Sequence, residues 1–413
     1  MSQATIPDQF VTADVWSDLR KYRQMPEIDM QRMYGYRVER IRGALRKAGA
    51  SMCIFVNPIS LRYAVDYRVW GLLQSHMPFT YLFVPVEGPI VIHGDYNPSK
   101  LTMVDECRKA RAISFFNAGY ELTGAARELA NDVVSYLAEI GTDNRRVAVE
   151  YINPSVTQAL LQRGLEVIDG IAISEEARLI KSADEISCMR WAIGVAELGI
   201  AKMKEAIRPG VTEVQLWGLL NYTNLANNGD WHDGRMLASG PRINPWFQEA
   251  SQREVESGDL VGFDTDMIGP FGYFADISRT FHCGPAKPTK RQKELYGLAM
   301  KEIEYNLALV RPGITFHEFQ QKALVLPEEY HPNAYTLSIH GCGMCDEYPR
   351  VNQVFGKPQP YEGTLEAGMV ICVESYVGAV GERDGVKLEQ QVLLVEGGYE
   401  LLSTYPFEEC LLD

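Results

Sequence analysis

The chain has 413 residues, 46% hydrophobic and 23% charged, with a formal net charge of -14. That size and balance describe a globular protein of more than one domain and exclude a mostly disordered or fibrous one. The acidic excess offers no field to hold a phosphate backbone, so nucleic acid is not an expected partner.

The opening residues MSQATIPDQFVTADVW lack the basic start and apolar stretch of a secretory signal. No apolar run approaches the roughly 20 residues of a membrane helix. A cytoplasmic protein away from the membrane is expected. The eight cysteines are too scattered for a disulfide framework. The one CxxC, Cys342 to Cys345, has no second CxxC to share a zinc and no Trp or Pro between its thiols, so it reads as packing.

In chain order, Met30, Met33, Val38, Ile41 and Leu45 recur at nearly helical spacing ahead of Gly49, which predicts an amphipathic helix. SMCIFV (51–56) predicts a strand, and residues 79–94 predict two more around the turn Glu87-Gly88-Pro89. A helix over 126–141, a strand over 146–150, a helix over 156–164 and the strand LEVIDG complete an α/β domain. One long helix is then predicted from about Ser174 to Ala206. The boundary is placed near residue 172, giving domains 1–172 and 173–413.

Beyond it the chain repeats itself. IRPGVTEVQLWGLL (207–220) is echoed by VRPGITFHEFQQKA (310–323), each a turn followed by a capping-box helix start, Thr212 with Gln215 and Thr315 with Glu318. SGDLVGFD (257–264) is echoed by AGMVICVE (367–374), a Gly-led apolar strand ending on a carboxylate. Each continues through a turn into a return strand with another acid, Asp276 and Glu389. An α+β domain of two related halves is expected, each half presenting one hairpin with two acids.

Buried carboxylates cost several kcal/mol unless something cationic meets them. Arg279 and Lys387 lie near enough in sequence to form structural ion pairs with them, and metal is the other solution. Asp264 and Asp266, two apart, share a face if both lie on the strand. His340, in LSIHGCGMCDEYP, adds an imidazole that suits Fe, Mn, Co or Zn better than Ca or Mg. Two divalent ions would offset most of the negative charge, so the expected centre is Asp264, Asp266, Asp276, His340, Glu374 and Glu389 around a metal pair.

At these residues the sequence resembles the creatinase/aminopeptidase P superfamily, whose "pita-bread" domain has two related halves and metal ligands in the order Asp, Asp, His, Glu, Glu. Asp264, Asp276, His340, Glu374 and Glu389 follow that order, and the likeness extends to the smaller N-terminal α/β domain. Peptidases of the superfamily carry Gly where Asp266 stands, a His where Trp246-Phe247 stands, and a second His where Met344 stands. LASGPRINPWFQE, FDTDMIGPFGYFADIS, HGCGMCDEYP and CVESYVGAVG resemble instead the branch that cleaves dimethylsulfoniopropionate.

That resemblance implies iron as the metal, with manganese, zinc or cobalt as alternatives, and a small zwitterionic substrate. It implies Asp346 as the base that takes the α-proton, and Trp70 and Tyr335 as aromatic walls for the sulfonium, with Trp231, Trp246 and Tyr348 as further candidates. It also implies a homodimer in which Trp70 reaches the partner's site. His232, His282 and the turn after Val380 depart from the pattern and are able to reshape the pocket. A hydrolase of the same fold acting on a small amide or Xaa-Pro peptide is the first alternative reading. A non-enzymatic binding module is the second, and such modules lose the ligands that this chain keeps.

Overall fold

The structure, a computed structural model, describes residue 19 and residues 24–68, 70–94 and 101–412. The opening stretch read for a signal lies outside the described residues. Two compact units are present among the described residues, divided between Arg178 and Leu179.

The first unit is built on a six-stranded mixed sheet in the order Glu106–Arg108, Val91–His93, Tyr81–Pro85, Met52–Phe55, Arg146–Val149, Glu166–Asp169. Met52–Phe55 is buried at every position, which is why it reads as an unbroken apolar run. Helix Met30–Ala48 ends where Gly49 takes the left-handed conformation. Helix Gly170–Arg178 packs on it, so the division falls after Arg178 rather than near residue 172.

The single helix expected over 174–206 is two. Ser182 accepts from the Glu185 N–H and Glu185 returns to the Ser182 N–H, a complete capping box that starts a new helix at Ala183–Ala206. Periodicity continued across Leu179–Ser182 and concealed the break.

The second unit carries a five-stranded antiparallel sheet in the order Asp346–Asn352, Leu337–Cys342, Val370–Val377, Val386–Val395, Gly398–Leu401. Helix Lys290–Leu307 packs on it through Leu295, Ala299 and Ile303. Two three-stranded sheets hold Leu237–Ser239, Leu260–Asp264 and Ser278–His282, and Trp231–His232, Met267–Ile268 and Phe274–Ala275.

The sequence repeat is a structural one. Gly210 N–H bonds Val255 O at 2.9 Å and Gly313 N–H bonds Leu365 O at 2.8 Å. Gly258 and Gly368, which open the two strands, have φ of 90° and 89°, a conformation that requires glycine. The helix caps match less well. Thr212 and Gln215 form the full box, but Glu318 bonds Lys322 Nζ at 2.6 Å and does not complete a box with Thr315. Among the described residues, no helix is long and apolar enough to cross a membrane.

Candidate metal centre

Strand Leu260–Asp264 pairs with Ser278–His282, and Asp264 lies opposite Ser278. The strand ends there. Asp266 has φ 39°, so the two aspartates do not share a strand face, and Asp266 reaches the cluster through a turn instead. Thr265 fixes that turn: its hydroxyl donates to Ala275 O at 2.7 Å and accepts from Ile277 N–H at 3.0 Å. His232 Nδ1 donates to Thr265 O at 2.9 Å. Asp276 sits in the break between Phe274–Ala275 and Ser278–His282, not within a regular return strand.

The other hairpin is regular, with Glu374 directly opposite Glu389. His340 comes from the neighbouring strand, opposite Cys372. Its Nε2 lies 3.1 Å from Glu374 Oε1, 3.6 Å from Glu389 Oε1 and 3.7 Å from Asp276 Oδ2. Ligand atoms converge within 4.8 Å in three overlapping groups: Asp264 with Asp266 and Asp276, Asp264 with Glu374 and Glu389, and Asp276 with His340, Cys372 and Glu389. The six expected residues therefore come together, and Cys372 joins them unforeseen.

Of the two cations near the acids in sequence, only Lys387 enters the cluster. Its Nζ is 2.6 Å from Glu374 Oε2 and from Ser278 Oγ, and 3.0 Å from Asp264 Oδ2. Arg279 turns away to the carbonyls of Ser278, Glu389 and Tyr405. One ammonium does not satisfy the site. Asp264 Oδ1, Asp276 Oδ1 and Glu389 Oε1 are buried without a hydrogen-bond partner among the described residues, a condition that proteins avoid unless an ion or water fills it.

Burial raises the carboxyls of Asp264, Asp266 and Asp276, and the charges of their neighbours push them further. Burial alone would lower His340, but the charge of Asp346 and the contact with Glu374 overcome it and hold the ring well above its ordinary value. Orphaned oxygens, mutually repelling carboxylates, an imidazole and a nearby thiol form a donor set that fits divalent transition metal.

Asp346 stands at the rim, its side chain 68% exposed and its Oδ1 3.2 Å from His340 Nδ1. Tyr335 stacks on the exposed Phe247 at 5.2 Å, and Lys387 Nζ lies 4.9 Å from its ring centroid. Trp231 is partly open, at 38% exposure. Trp246 is buried in the core beside Lys387, so it backs the ammonium instead of fronting a cleft. Tyr348 packs on Phe316 and Tyr361. Trp70, in the other unit, is 62% exposed and lines a surface cavity with Phe79, Lys109 and Phe116.

Several working residues escaped the sequence reading. Gln391 accepts from Asp276 N–H at 3.2 Å and donates to Cys342 Sγ at 2.9 Å, tying the two hairpins together. Ser278 donates to Glu389 Oε2 at 2.9 Å. Partial desolvation, with the charge of Asp346 behind it, pushes the Asp233 carboxyl up to about 6, although the residue stays open to solvent. The doubled Gln of LEQQ was a readable signal, since two amides in a buried strand need partners. Asp233 offered none.

Comparison with known proteins agrees with this construction. The model of metallopeptidase family M24 matches residues 187–396, which hold all six residues of the cluster. The chain belongs to metallopeptidase family M24. It is 37% identical over 396 residues to the dimethylsulfoniopropionate lyase DddP of Roseovarius nubinhibens, covering 93% of this chain and 88% of that protein. The lyase DddP of Roseobacter denitrificans is 33% identical over 399 residues, with the same coverage.

Among solved structures, an Xaa-Pro dipeptidase from Bacillus anthracis superimposes with TM-score 0.72 at 21% identity, covering 91% of this chain and 99% of that one. The prolidase from Pyrococcus horikoshii gives 0.71 at 20% identity, covering 90% and 99%. The fold is thus α/β in the first unit and α+β pita-bread in the second. With the family and the named lyase relatives in hand, the M24 member is an enzyme and not a bare binding module.

Proposed function

We propose that this M24 enzyme cleaves dimethylsulfoniopropionate to dimethyl sulfide and acrylate by proton abstraction and elimination. The observation that carries the reading is Asp346: a solvent-reaching carboxylate 3.2 Å from the histidine of the metal cluster. Likeness to the two DddP lyases over nearly the whole chain supports it.

We propose a pair of divalent ions, iron first, with manganese, zinc or cobalt as alternatives. Asp264, Asp266, Asp276, His340, Glu374 and Glu389 would hold them. The five ligand carboxylates carry five negative charges, of which Lys387 offsets one and two divalent ions offset the remaining four. At that site a metal would supply Lewis acidity, which would hold the substrate carboxylate and make the proton on the adjacent carbon more acidic.

Asp346 would accept the proton from that carbon. The electrons of the C–H bond become the new C=C bond, the C–S bond breaks, and dimethyl sulfide leaves with its bonding pair. The faces of Tyr335 and Trp231 would steady the sulfonium, an attraction of roughly 0.5–2 kcal/mol. Trp246 and Tyr348 would support that wall from behind. We further propose a homodimer in which the exposed Trp70 of one subunit completes the other's pocket. The eight free cysteines support a reducing, cytoplasmic setting.

A second reading, hydrolysis of a small amide or Xaa-Pro peptide, is favoured by the family and by the prolidase likeness. Metal-loaded protein incubated with dimethylsulfoniopropionate is expected to release dimethyl sulfide, measured by gas chromatography. Silence there, with cleavage of an Xaa-Pro dipeptide, establishes the hydrolase instead.

A further inference from the structure

Asp346 is exposed and opens the strand Asp346–Asn352 directly after the turn at 343–345, so something else has to fix where its carboxylate stands. The next residue, Glu347, supplies a buried anchor. Its side chain is 1% exposed, and its two oxygens divide their work: Oε1 accepts from Met344 N–H at 2.9 Å and Oε2 takes Lys181 Nζ at 3.0 Å.

Lys181 is itself buried, its side chain 3% exposed, and its backbone N–H is tied to Gly368 O at 2.9 Å. A Cβ on Gly343 would fall 2.2 Å from Glu347 Oε2, so the glycine is what admits the carboxylate into the turn. The same residue's carbonyl accepts from Phe274 N–H at 2.7 Å, two residues before Asp276. The turn is thus pinned from both sides, to Lys181 and to the first metal hairpin.

A buried ion pair seldom adds net stability over a well-packed apolar pair. Its retention in a turn beside a reactive carboxylate points to geometry, because a group held 1 Å out of place costs about 100-fold in rate. We propose that Lys181 and Glu347 are positioning residues: Glu347 caps Met344 N–H and so sets the Asp346 carboxylate against His340, while Lys181 offsets its buried charge. The inference rests on the role of Asp346 given above.

Two double variants separate positioning from folding, since each removes both charges together and leaves no ion stranded. K181M/E347Q keeps an oxygen for Met344 N–H, and K181M/E347L does not. We expect K181M/E347L to lower kcat on dimethylsulfoniopropionate by about 100-fold with KM and metal content unchanged, and K181M/E347Q to recover most of the loss. In the D346N background the two variants should differ no further.

Amide exchange of peptides covering residues 343–346 should quicken in K181M/E347L alone. That readout needs no turnover. A parent without lyase activity but with the exchange pattern intact would overturn the reaction and keep the anchor. Equal exchange in the two variants, or a kcat loss that follows lost metal, overturns the positioning role.

Discussion

Asp276 and Asp346 both lie within 4 Å of His340, yet they are held under opposite conditions. Asp276 is 2% exposed with an orphaned oxygen, whereas the Asp346 side chain is 68% open. On the proposed reading the first would hold an ion and the second would meet the substrate. Asp276→Ala or Glu374→Ala is therefore expected to abolish metal binding and activity while circular dichroism stays that of the parent. Asp346→Asn should keep full metal and lose about 10²–10⁴ in kcat, the usual worth of a general base. Elemental analysis beside the rate decides: full metal in the first pair refutes the ligand assignment, and near-parent turnover in Asp346→Asn moves the base elsewhere. The acids were legible because carboxylates in apolar strands demand a cation. The choice between Arg279 and Lys387 stayed open in the sequence, and the structure explains it by parity. Lys387 and Glu389 are two apart on one strand and share its face, while Arg279 adjoins Ser278, which faces Glu389, and so points the other way.

At the scale of elements, Asp266 shows where pattern reading fails. Alternation holds only while the strand lasts, and this one stops at Asp264, with no residue in FDTDMIG that announces the stop. What holds the turn lies elsewhere in sequence: Thr265 between Ala275 and Ile277, and His232 donating to Thr265 O. Burial lowers His232, and the hydrogen bond that its Nδ1–H donates to Thr265 O works against that shift. It stood in the sequence as a departure from the lyase pattern, and the structure gives it a task. His232→Phe removes the donor and frees the Asp266 turn. Metal affinity is expected to fall by about 10–100-fold, as when a hydrogen bond behind a ligand is lost. Titrating apo-protein by calorimetry would show it, and parent-like affinity would leave His232 with packing alone. The missed break at Ser182 differs in kind, since the S-x-x-E signal was present in KSADE and was overridden by periodicity on both sides.

Across the whole molecule, buried carboxylates are not confined to the metal site. Glu150, in the first unit, accepts from the N–H groups of Val56 and Asn57 at 3.0 Å and from the hydroxyl of Ser60 at 2.5 Å. Burial nonetheless dominates and raises it from 4.5 to about 7. Between those values the folded chain binds more protons than the unfolded one, so this group's contribution to stability falls as pH rises through the window. The penalty is complete above about pH 7 and amounts to at most about 3.5 kcal/mol. Glu302, buried behind Ser375 in the second unit, is likewise raised to about 7 and adds the same sign. Glu150→Gln keeps an oxygen for the two N–H groups and an amide for Ser60, and it removes the charge. It should match the parent near pH 4, below the unfolded value, and melt higher at pH 8, by roughly 2–4 °C for each kcal/mol in a domain of about 150 residues. Calorimetry of metal-free protein at both pH values checks this. A shift equal at the two pH values would mean that packing, not ionisation, separates glutamate from glutamine there. A lower Tm at pH 8 would mean that the charge is stabilised by its three donors after all.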